Sequence, residues 1–210
     1  MDAAVKFESF EYHDAAPYAY QIAKQAIVDK RHRTIAHELL FRAAPDRTTD
    51  YCGSCATRHV FDDVINAPDV ELPVGDLFVN MTRDILMALP LNSRPLDHVV
   101  YEILEDVEVD AALMTHLHAL VDQGYQFALD DYVLTENARP LLTIASIVKL
   151  DIQSLSTTAL IQHVHALRSS SCLLLAEKIE TPNEWRLCHS LGFDLFQGFL
   201  FHVPDVLVIK

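Results

Sequence analysis

Glycine and cysteine are scarce in this 210-residue chain, with 5 and 4 occurrences, and its 16 basic residues are outnumbered by 30 acidic ones. Scarce glycine in a half-hydrophobic chain excludes a disordered or low-complexity protein and predicts densely packed elements. Four scattered cysteines, Cys52, Cys55, Cys172 and Cys188, cannot form the disulfide framework of a small secreted domain, and they fit a reduced compartment. Cys52-Gly53-Ser54-Cys55 has redox or half-zinc spacing. No strong apolar strand precedes it and no second close pair completes a zinc site, so it reads as two thiols on an early helix. A net charge of −14 repels nucleic-acid backbones and anionic membranes, which excludes DNA, RNA or a bilayer as partner. A small anionic ligand can still bind where cations and an arginine invert the local field. No apolar run approaches the roughly 18 residues of a membrane span. The start, Met1-Asp2-Ala3-Ala4-Val5-Lys6, lacks a signal-peptide core, so a cytoplasmic location is expected.

What the chain does have is a series of apolar runs that each end on a polar residue: Glu38, Asn80, Glu102, the pair Asp130-Asp131, Lys149 and Glu177. From Asn80 onward these ends recur about every 20 to 30 residues, the length of one strand plus one helix in a βα barrel. Strand ends in such a barrel converge on one face. Five carboxylates, an Asn and a Lys would then share one pocket, which is costly unless divalent cations neutralise the excess charge. Adjacent aspartates are natural ligands for two cations about 3.5 to 4 Å apart, and hard oxygen donors favour Mg²⁺ or Mn²⁺.

The expected fold is α/β, a modified TIM-like (β/α)8 barrel opening on an antiparallel hairpin. Residues 1–17 form a tail or cap and 18–210 a single domain. The hairpin strands are read at 20–28 and 34–42, separated by the charged turn Asp29-Lys30-Arg31-His32-Arg33. A polar segment at 46–50 leads into a helix reaching about Asn66, and further helices are expected near 82–89, 109–123, 154–168 and 182–190. Thr181, Pro182 and Glu184 supply a start signal for the last, and Gly192 its stop. Strands at 197–201 and 206–209 are expected to close the barrel. His116, His118, His163 and His165 are assigned surface or capping roles, and Leu113, Leu117 and Leu120 to the core.

Seven segments then carry a resemblance in order: Glu38-Leu39-Leu40-Phe41-Arg42, Phe78-Val79-Asn80, Glu102-Ile103-Leu104-Glu105, Asp130-Asp131, Lys149-Leu150-Asp151, Ala176-Glu177-Lys178-Ile179-Glu180-Thr181 and Gln197-Gly198-Phe199. Together they resemble the EAL domain, the barrel family that hydrolyses the bacterial messenger cyclic di-GMP to linear pGpG, and most closely its branch joined to a C-terminal HDOD domain. The resemblance implies that Glu38, Asn80, Glu102 and Asp130 hold one cation, and Asp130 with Asp131 the other. It further implies that Lys149 orients the attacking water, that Glu177 acts as general base or supports the ligands, and that Arg42 binds a ligand phosphate. Gln197 would lie at the floor and Glu105 would support the loop after the aspartates. A homodimer, an HDOD domain or a signalling protein are the partners it suggests besides cyclic di-GMP.

Two departures from the family pattern stand out. Its Phe-Gly-Thr-Gly loop is replaced by Tyr132-Val133-Leu134-Thr135, and Lys178 stands where the family has glycine. Val and Leu resist backbone conformations that glycine permits. Beside a phosphodiesterase, the sequence therefore leaves open a catalytically degenerate receptor for cyclic di-GMP, or a protein-interaction module.

Overall fold

Two apolar stretches split by a charged turn pair as an antiparallel hairpin, β1 (Tyr20–Asp29) and β2 (Thr34–Ala43), in the computed structural model, which describes residues 19–43, 52–92 and 94–209. The turn is fixed locally: Asp29 Oδ1 accepts from the backbone N–H groups of Arg31 and Arg33 at 2.8 and 3.0 Å, and His32 takes a left-handed conformation. The expected tail at 1–17 and the polar segment at 46–50 lie outside the described residues.

Six strands follow in parallel with β2: β3 (Asp76–Met81), β4 (Val99–Ile103), β5 (Gln126–Leu129), β6 (Ala145–Asp151), β7 (Leu173–Glu177) and β8 (Leu195–Phe196). The helices are α1 (Gly53–Val60), α2 (Arg83–Ala88), α3 (Ala111–Val121), α4 (Thr157–Leu167) and α5 (Pro182–Leu191). Asp110 and Ser156 cap α3 and α4, and Thr181 with Glu184 forms the expected capping box on α5. Gly192, at φ 93°, ends α5. Leu113, Leu117 and Leu120 are fully buried against the barrel wall.

The barrel closes on β1, which runs antiparallel to both neighbours. One edge pairs with β2; the other is shared by β8 at Val28 and Asp29 and by β9 (Asp205–Ile209) at residues 21–24. The strand expected at 197–201 is corrected: β8 lies two residues earlier, and 198–201 is a turn. Gly198 causes this. Its φ is 150°, and a Cβ there would lie 2.1 Å from the Ile179 carbonyl oxygen, which instead accepts from the Leu200 N–H at 3.0 Å.

Inside the barrel, each of the eight strands contributes one member of a buried apolar layer: Ile27, Ala36, Phe78, Val100, Ala128, Ile147, Leu175 and Leu195. Side chains on a strand return to the same face every second residue. Two positions further along the parallel strands stand Glu38, Asn80, Glu102, Asp130, Lys149, Glu177 and Gln197. On antiparallel β1 the count runs backward and gives Gln25. A ring of eight polar side chains therefore sits directly on an apolar plug.

Candidate active site

Closure brings together residues far apart in sequence. Lys149, fully buried, extends from β6 into the centre of the ring, with Nζ 2.6 Å from Glu102 Oε1, 2.7 Å from Asp130 Oδ1, 2.9 Å from Glu177 Oε1 and 3.5 Å from Glu38 Oε2. Gln197 Nε2 donates to Glu38 Oε2 at 2.6 Å and to Gln25 Oε1 at 3.1 Å, and Gln25 Nε2 donates to the His202 carbonyl at 3.1 Å. Asn80 lies beside Glu102 in the β3/β4 register. The strand end carrying Asn80 is tied to α1, because Thr57 Oγ1 donates to the Asn80 carbonyl at 2.7 Å.

One ammonium among four carboxylates leaves an excess of buried negative charge. Burial, reinforced by Glu38 and Asp130, holds the Glu102 carboxyl well above its ordinary range despite Lys149. Burial also pushes Glu177 up to about 8, with Asp130 and Glu38 adding to the shift and Lys149 opposing it. Burial alone would lower the Lys149 ammonium, but Glu102, Glu177, Glu38 and Asp130 together hold it well above its ordinary value.

The Glu177 shift carries a pH prediction for the metal-free protein. Unfolded, the group titrates near 4.5; folded, near 8. Between those values the folded state binds more protons, so stability falls as pH rises through the window. Thermal melts in chelator from about pH 5 to about pH 8 should show a falling Tm, by a few degrees or more. A rising Tm across that range would contradict this ionisation pattern.

Four oxygens in the ring, Asn80 Oδ1, Glu102 Oε2, Glu177 Oε2 and Gln197 Oε1, and Asp131 Oδ1 beside it, are buried without a hydrogen-bond donor among the described residues. Buried oxygens stranded this way are costly unless a proton or a cation satisfies them. Ligand atoms of Asp130, Asp131 and Glu177 lie within 4.8 Å of one another, close enough to share an ion. The donors are all hard oxygens, so the residues present fit Mg²⁺ or Mn²⁺.

Above the ring a cleft of about 340 Å³ opens, lined in part by Arg42, Asp131, Lys178 and Phe199. Arg42 is exposed on β2, four residues past Glu38 and on the same strand face. The aspartates turn the chain themselves: Asp131 takes φ 39°, a conformation that Asp tolerates better than Val or Leu. The glycine-free segment that follows is pinned at Tyr132, whose N–H donates to the Lys149 carbonyl at 3.0 Å.

Glu105 is exposed in the turn beyond β4. One expectation needs correction here: His163, expected at the surface or as a cap, is buried instead. It supports the loop: its Nδ1 faces the Ala159 carbonyl at 2.8 Å and its Nε2 accepts from the Leu134 N–H at 3.3 Å, as the neutral Nδ1–H tautomer does. Gln25 was not singled out in the sequence. Its signal was present but required counting backward along an antiparallel strand.

No family model matches the chain. It is 31% identical over 198 residues to the Bacillus subtilis protein YuxH, covering 89% of this chain and 47% of that one. To the cyclic di-GMP phosphodiesterase CdgJ of Vibrio cholerae it is 27% identical over 197 residues, covering 90% and 45%. The chain thus spans about half the length of these relatives. Among solved structures, Bacillus subtilis YkuI, which has an EAL domain and was determined with its substrate cyclic di-GMP and calcium, superposes with a TM-score of 0.68 at 19% identity, covering 91% of this chain and 56% of that one.

Proposed function

We propose that this chain, whose barrel superposes on that of YkuI, is an EAL-type, metal-dependent phosphodiesterase that opens cyclic di-GMP to linear pGpG in bacterial second-messenger signalling. The observation that carries this reading is the ring of eight polar side chains with four buried, donor-free oxygens and a fifth, Asp131 Oδ1, beside it. Glu38, Asn80, Glu102 and Asp130 would hold an inner divalent cation, and Asp130, Asp131 and Glu177 an outer one. Bound Mg²⁺ or Mn²⁺ supplies an acidified water and neutralises charge on the leaving 3′ oxygen.

The remaining roles belong to the chain itself. Lys149 holds Glu102, Asp130 and Glu177 in place, and its ammonium would offset charge developing on a phosphate seated above the ring. Arg42, on the cleft wall, suits bidentate capture of a ligand phosphate. Gln197 and Gln25 fix the Glu38 rotamer from the floor. Phe199, 59% exposed at the cleft, offers an aromatic face to a guanine base.

No helix among the described residues is long and apolar enough to cross a membrane. A cytoplasmic location and, as further partners, an HDOD domain or a signalling protein belong to the same proposal. So does a homodimer through the 132–135 segment, where Val133 and Leu134 are 52% and 38% exposed.

The test is cyclic di-GMP turnover by purified protein with Mg²⁺ and with Mn²⁺, beside Glu38→Ala, with nucleotide binding recorded in Ca²⁺. Metal-dependent pGpG that disappears in the variant is the expected result. Saturable binding without turnover would instead establish a receptor, the reading favoured by the glycine-free loop and by Lys178 at the rim. Absence of both activities would leave a protein-interaction module.

A further inference from the structure

Lys178 follows β7 directly and holds φ 57°, a left-handed conformation that a lysine adopts only when its surroundings impose it. They do so on the backbone side, where Gln153 Nε2 donates to the Lys178 carbonyl at 2.9 Å. The side chain then turns back over the cleft. Its Nζ lies 2.6 Å from Asp151 Oδ2 and 3.5 Å from Asp131 Oδ2.

Asp151 is a rigid anchor for this ammonium. Its side chain is 11% exposed, and its Oδ1 accepts from the N–H groups of Gln153 and Ser154 at 2.8 and 3.2 Å. Asp131 is the other partner, and it belongs to the compact group with Asp130 and Glu177 that would hold the outer divalent cation. An ammonium and a dication at one carboxylate repel each other, and the ammonium is covalently tethered and needs no capture from solution.

We propose that Lys178 is a built-in monovalent cation for the outer position, so that the free protein takes one divalent cation firmly and admits a second only when Lys178 leaves Asp131. This rests on the metal-dependent reading of the same ring and adds to it the order in which the two positions fill. It also gives the replaced glycine a consequence that neither backbone strain nor side-chain bulk would produce, namely a change in metal stoichiometry.

The experiment is a Mn²⁺ titration of the full chain without nucleotide, with stoichiometry read by equilibrium dialysis and Mn²⁺ pairing read by electron paramagnetic resonance. Wild type and Lys178→Arg should bind one ion per chain with an isolated-ion spectrum. Lys178→Met, which keeps the side-chain length and removes the charge, should bind two with a spin-coupled pair, its second step at least about tenfold tighter than in wild type. Lys178→Gly, which suits the left-handed backbone, should behave like Lys178→Met and guards against a folding defect in that variant. Two ions in wild type, held as tightly as in Lys178→Met, would overturn the proposal and leave the phosphodiesterase reading intact. No Mn²⁺ binding by any variant would overturn both.

Discussion

Lys149→Met is expected to cost about 3–5 kcal/mol of stability near pH 8 in chelator, the scale for removing one partner from a buried ion pair. The substitution roughly preserves volume and removes the ammonium that lies 2.6 to 3.5 Å from Glu102, Asp130, Glu177 and Glu38. Four carboxylates would then face an apolar side chain. Acidification should shrink the loss, because Glu102 and Glu177 already hold their protons more tightly than ordinary carboxyls, and without Lys149 they would hold them more tightly still. Mn²⁺ should also shrink it, by supplying the missing positive charge. Urea denaturation at about pH 6 and about pH 8, with chelator and with Mn²⁺, distinguishes this from simple misfit. An equal loss under all four conditions would mean that Lys149 serves packing and not charge.

Asp130→Asn should separate activity from stability. Asp130 accepts from Lys149 at 2.7 Å and belongs both to the inner ring and to the compact group with Asp131 and Glu177. Asparagine exchanges one of its two acceptor oxygens for an NH₂ donor, which would face either Lys149 or a cation. Turnover is expected to fall about 10³-fold, since the position contributes several kcal/mol of charge stabilisation. The fold should not suffer, because removing one of four carboxylates around a single ammonium relieves repulsion. Tm in chelator should therefore hold or rise while turnover collapses. Turnover within tenfold of wild type would remove Asp130 from the catalytic ring.

Much of this site was legible because a parallel strand repeats its facing every second residue. Ala36 to Glu38, Phe78 to Asn80, Val100 to Glu102 and Leu175 to Glu177 are each a step from an interior apolar residue to a polar one, and each can be seen without knowing any partner strand. Gln25 escaped because β1 runs the other way, so its polar residue precedes Ile27. The two-residue β8 escaped because Gly198, which reads as strand material beside Phe199 and Leu200, is held in a turn against Ile179. His163 looked peripheral on a helix surface until the 132–135 segment folded over it.

The sequence by itself determined which residues face the barrel interior and that their combined charge is too negative to be buried without cations. Those properties follow from strand periodicity and from side-chain chemistry, both of which are local. The tertiary structure alone decided who meets whom. Four of the strand seams are offset by two residues, at β2/β3, β4/β5, β6/β7 and β8/β1, giving the total stagger of eight that a closed barrel of this kind requires. That stagger sets the height of each polar group on the axis. It places Lys149 among Glu102, Asp130 and Glu177, brings Gln197 to Glu38 across 159 residues of chain, and lets the Lys178 ammonium reach Asp151 and Asp131. Pairing of charges depends on distances between strands remote in sequence, and barrel closure is what fixes them.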